Sequence, residues 1–81
     1  MREKLEMQGA LAMLGKEIST LRLQAKAQAG MLRGHVSTFG LMHLDQLDID
    51  GTELSAKMFV DSMRQLRLKE AEYKELEAAL R

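Results

Sequence analysis

Cysteine, proline and tryptophan are absent from these 81 residues, and the only aromatics are Phe39, Phe59 and Tyr73. Without cysteine there are no disulfides or thiolate metal sites, and the redox compartment leaves no mark on the chain. Without proline, long helices can run uninterrupted. Three aromatics are too few for a platform that stacks single-stranded nucleic acid. No apolar run approaches the roughly 20 residues needed to cross a bilayer, and no secretory leader is expected. The expectation is a soluble cytoplasmic protein with no membrane partner.

Net charge is also lacking: 12 Lys and Arg balance 12 Asp and Glu. The balance is uneven along the chain. Residues 1–44 carry +3 and residues 45–81 carry −3. A duplex-binding protein shows a basic surplus, so no nucleic acid is expected as partner. The asymmetry suits two halves lying against each other, or head-to-tail contact between copies. A chain of this length forms one small domain. Cores of that size rarely supply more than about 3–5 kcal/mol without disulfides, metals or association.

What is present is helical periodicity. Met7, Leu11, Leu14, Ile18, Leu21, Ala25, Leu32 and Phe39 follow the alternating steps of four and three that mark a coiled-coil seam. Gln28 and His35 fall on the same seam and weaken its far end. The residues between are mostly good helix formers, which predicts a helix over about 3–36. A second seam runs through Phe59, Leu66, Tyr73, Leu76 and Leu80, with Ser62 or Met63 and Lys69 or Glu70 between. It predicts a helix over about 51–80, supported by Glu70 and Lys74 one turn apart.

Between the seams, LDIDGTEL resembles part of a calcium loop. Aligned on Asp50 and Gly51, that loop would begin at Gln46 and end at Lys57, where carboxylates are required. A helix start explains the stretch better. Asp50 and Glu53 form a variant capping box, and Ile49 and Leu54 are spaced as a hydrophobic staple.

The join at 37–49 must reverse the chain, yet it holds Phe39, Leu41, Met42, Leu44, Leu47 and Ile49. Exposing them costs roughly 25 cal/mol per Å². A short helical turn over 41–47 is therefore expected, with Gly40 permitting the bend. In an antiparallel hairpin, facing residues have numbers with a nearly constant total. Leu32 with Phe59, Ala25 with Leu66, Ile18 with Tyr73 and Leu11 with Leu80 all total 91. The predicted fold is all-α, an antiparallel two-helix coiled-coil hairpin of residues 1–81 that associates into a helical bundle.

Two helices leave apolar surface uncovered. Leu23, Ala27, Gly30 and Gly34 form a second row on the first helix, a candidate self-association surface. The competing reading is that Gly30 or Gly34 ends or frays the helix. Among the seven methionines, Met7, Met58 and Met63 suit core gaps, whereas Met13, Met31 and Met42 suit contacts.

No signal for chemistry emerges. His35 and His43 are not one turn apart, so they make no helical metal pair. His43 with Asp45, Asp48 and Asp50 reads as a solvated acidic turn. No nucleophile has an adjacent base, and no glycine loop would cradle phosphate. No catalytic residue, metal or cofactor is expected.

The leading expectation is an interaction protein, a self-associating scaffold, adaptor or assembly factor. Its partners are itself, as a homodimer or larger bundle, and an unlike protein. The candidate surface comprises Leu23, Ala27, Gly30, Met31, Gly34 and Met42. One alternative is a regulator whose acidic tip, Asp45, Asp48 and Asp50, engages a larger machine. Another is a chaperone for a secreted or phage structural protein, which would suit a bacterial or phage gene cluster.

Overall fold

A computed structural model describes residues 2–39 and 44–81, the side chains of 37–39 excepted. Helix α1 spans Arg2–Phe39, a 3-10 turn spans Leu44–Gln46, and helix α2 spans Ile49–Leu80. The two helices pack along their length as an antiparallel all-α hairpin, with no strand among the described residues. The particle measures 63 × 16 × 14 Å, with a radius of gyration of 18.1 Å. A compact domain of this length would have a radius near 12 Å. The hairpin is therefore a rod whose core is a single seam.

That seam follows the heptad pattern closely. On α1, Met7, Leu11, Leu14, Ile18, Leu21, Ala25, Gln28, Leu32 and His35 are buried or half-buried, and most of the residues between them are exposed. On α2 the sequence of positions is Thr52, Ser55, Phe59, Ser62, Leu66, Lys69, Tyr73, Leu76 and Leu80. Among the described residues, Ile18, Ala25 and Leu66 are the buried apolar ones, joined by Gln28, Ser55 and Ser62. Fully burying a side chain such as Ile or Leu contributes about 1.5–3 kcal/mol, so a seam this thin yields a modest total. Ser62, rather than Met63, takes the buried place on the seam. Met58 was expected to fill a core gap, but it is exposed because its position flanks the seam.

Two of the predicted pairs share a depression. Leu32 and Phe59 border one depression, and Ile18 and Tyr73 another. The short contacts have different totals. Gln24 Nε2 donates to Ser62 Oγ at 3.5 Å, and Lys69 Nζ lies 3.2 Å from Glu17 Oε2. Both pairs total 86, whereas Arg22 and Glu70, 3.7 Å apart, total 92. Totals on both sides of 91 are those of side chains entering the gaps between residues of the facing helix. Glu70 thus turns across the seam to Arg22, and no Glu70–Lys74 ion pair forms among the described residues.

Helix α1 passes through Gly9, Gly15, Gly30 and Gly34 and ends at Phe39, so neither Gly30 nor Gly34 terminates it. The turn at Leu44–Gln46 accords with the helical turn expected over 41–47. The bend expected at Gly40, together with Leu41, Met42 and His43, lies outside the described residues.

The start of α2 corrects the expected cap. Asp48, not Asp50, is the N-cap, with extended φ −76° and ψ 92°. Its Oδ1 accepts from Gly51 N at 3.0 Å, while its carbonyl accepts from Thr52 N at 2.9 Å and from Thr52 Oγ1 at 2.7 Å. Capping two residues earlier places Asp50 in the first turn, where the helix dipole favours a negative charge. It also removes the staple, since Ile49 is now the first helical residue and both Ile49 and Leu54 are exposed.

Candidate interaction surfaces

The second row on α1 lies on the outer surface of the hairpin. Leu23 is 71% exposed and Met31 58% exposed, and Ala27, Gly30 and Gly34 are exposed with them. Steps of four, three and four align Leu23, Ala27, Gly30 and Gly34 on one stripe, and Met31 lies beside it. A Cβ built at Gly30 or Gly34 would meet nothing within 4 Å. The hairpin itself therefore imposes no glycine at these two positions. Met42, expected on the same surface, lies outside the described residues.

The three acidic residues of the tip have different surroundings. Asp45 is exposed in the 3-10 turn, Asp48 is engaged as the cap, and Asp50 is exposed in the first turn of α2. Exposed Leu44 and Ile49 lie among them, so the tip is both acidic and apolar. Among the described residues, no group of three or more His, Cys, Asp or Glu side chains could hold a metal ion.

A further surface was not anticipated. On the outer side of α2, Phe59, Val60, Met63 and Leu68 line a shallow apolar depression bordered by Arg64 and Arg67. Neither arginine forms an ion pair with a described residue. A weak signal for this face was present in the chain, because Ile49, Ala56, Val60 and Met63 recur at steps of seven, four and three. The stronger seam through Phe59 and Leu66 overshadowed it.

Electrostatics reinforce the packing rather than mark a reactive group. Lys69 bridges to Glu17 of the facing helix and lies 3.8 Å from Glu72 on its own helix. The hydrogen bond that Lys69 donates to Glu17, then the charges of Glu17 and Glu72, raise the Lys69 ammonium above its ordinary pKa. The two cross-helix pairs run in opposite senses, since α1 supplies the anion to Lys69 and the cation to Glu70.

No helix of the described residues is long and apolar enough to cross a membrane. No known protein family, curated protein or solved structure matches this chain.

Proposed function

We propose that this hairpin is a non-enzymatic interaction module, a small scaffold, adaptor or assembly factor that works by burying its outer helix faces against partners. The observation that carries this reading is the imbalance of its surface. Among the described residues, Ile18, Ala25 and Leu66 are the buried apolar ones, while Leu5, Met13, Leu23, Met31, Val60 and Leu68 are among the large apolar residues left exposed. A chain that keeps so much apolar surface in water gains from any partner that covers it. The α1 stripe of Leu23, Ala27, Gly30, Met31 and Gly34 is the proposed contact, because its small residues permit close approach of another helix. Its occupants are a second copy or an unlike protein.

The acidic tip supports a competing reading, a regulator engaging a basic site on a larger machine. Exposed Asp45 and Asp50 favour it. The two readings separate in a capture experiment from native cells. Leu23→Glu should abolish capture of the partner, whereas Asp45→Asn with Asp48→Asn, which retains a capping residue, should leave it intact. The reverse pattern would establish the tip as the contact. Light scattering over a concentration series reads the self-association separately.

A further inference from the structure

The outer face of α2 has opposite charges at its two ends and apolar residues between them. At its start stand Asp50 and Glu53, beside Ile49, which is 70% exposed although apolar. About four turns later Arg64 and Arg67 border the depression lined by Phe59, Val60, Met63 and Leu68. Ala56 and Val60 lie between the two ends. Ile49, Ala56, Val60 and Met63 share one face at helical spacing.

Such a face complements itself when rotated by a half-turn. We propose that two copies associate antiparallel through α2, with Ile49 of each seated in the Val60–Met63–Leu68 depression of the other and Asp50 and Glu53 beside Arg64 and Arg67. The depression's centre lies about 15 residues, roughly 22 Å, from Ile49 along the helix. A two-fold axis near Ala56 and Lys57 brings both ends into register at once, so each contact is made twice. The occupant is a second copy because the chain itself carries both halves of the match: the apolar knob with its acidic flank, and the apolar recess with its basic border. Parallel pairing would set arginine against arginine and acid against acid, so charge selects the antiparallel arrangement. Lys57 is exposed near the axis, and its long flexible side chain can carry the ammonium of each copy away from the other. This inference rests on the reading that the hairpin works by burying exposed helix faces. It assigns the second copy to α2 and leaves the α1 stripe to other partners.

Charge exchange tests it with the full chain. Sedimentation velocity on the wild type over a micromolar series is expected to show a monomer–dimer equilibrium. Arg64→Glu with Arg67→Glu, and separately Asp50→Arg with Glu53→Arg, should each weaken that dimer by about tenfold or more through like-charge contact. Mixed one to one, the two variants should recover wild-type affinity, because both contacts are then again between opposite charges. Recovery on mixing also shows that neither variant merely failed to fold. Ile49→Glu adds an acidic group where the helix dipole favours one. It should therefore keep the helical circular dichroism while losing the dimer. A wild type that stays monomeric, or an Arg64→Glu/Arg67→Glu variant that dimerises normally, overturns the proposal. If Leu23→Glu alone abolishes self-association, the interaction reading stands and the α2 interface falls.

Discussion

Lys69 Nζ reaches across the hairpin to within 3.2 Å of Glu17 Oε2, from a seam position where the repeat calls for an apolar side chain. It is only half-buried, so its aliphatic stem covers the seam while its ammonium stays at the edge. This arrangement combines packing and register in one residue.

Alkaline titration should expose that contact. The Lys69 pKa is raised in the folded state by Glu17 first and Glu72 second. Its stabilising contribution is therefore fully present below the ordinary lysine pKa, about 10.4, and is lost as pH rises through the higher folded value. Thermal melts from pH 9 to 12 should fall more steeply for the wild type than for Glu17→Gln. Parallel slopes for the two proteins would remove Lys69–Glu17 as the cause.

Gln28 is the least favourable residue on the seam. It is 8% exposed, and its Oε1 accepts no hydrogen bond from a described group. An unsatisfied buried acceptor costs about 1–3 kcal/mol. Gln28→Leu, of similar volume, should raise stability by an amount in that range in urea unfolding. A buried polar seam residue can also specify register and oligomeric state at a cost in stability. The same variant should therefore populate additional association states in sedimentation. Unchanged or lower stability would show that Gln28 is adequately satisfied.

The cap makes a separable prediction. Asp48→Ala should cost about 0.5–2 kcal/mol, because it removes the acceptor for Gly51 N–H. Asp50→Ala should cost less, about 0.3–1 kcal/mol, because within one hairpin that residue acts through the helix dipole. Chemical denaturation of the two variants side by side distinguishes the cap at Asp48 from the alternative at Asp50, and a larger loss at Asp50 would reverse the assignment.

Two glycines should respond oppositely to the same substitution. A Cβ at Gly9 meets nothing within 4 Å, so Gly9→Ala should stabilise the hairpin by about 0.4–1 kcal/mol. A Cβ at Gly51 would lie 2.8 Å from Asp48 Cγ and displace the capping carboxylate. Gly51→Ala should therefore leave the melting temperature unchanged or lower it. An equal rise for both variants would show that the cap tolerates the methyl group.

The legibility of this chain follows from the kind of information each feature needs. The seam from Met7 to His35 could be read because heptad spacing places these residues on one side of any helix they form. The doubling back could be read because the apolar join and the capping residues around Asp48 and Asp50 interrupt one long pattern with a stop and a start. Which of the two aspartates caps could not be read, since both are competent and only the backbone conformation of residues 48–52 distinguishes them. The exposure of Ile49 and Leu54, and with it the loss of the expected staple, followed from that same two-residue difference.

The amino-acid sequence by itself determined that two proline-free amphipathic helices would form and pack with opposite polarity, because periodicity and capping are local properties. Only the tertiary structure decided how the side chains interleave across the seam, that Glu70 meets Arg22 and Lys69 meets Glu17, and that Val60, Met63 and Leu68 form an open recess bordered by Arg64 and Arg67. Those outcomes depend on how far one helix is displaced along the other. That displacement is settled by the simultaneous fit of many side chains, which no single segment encodes.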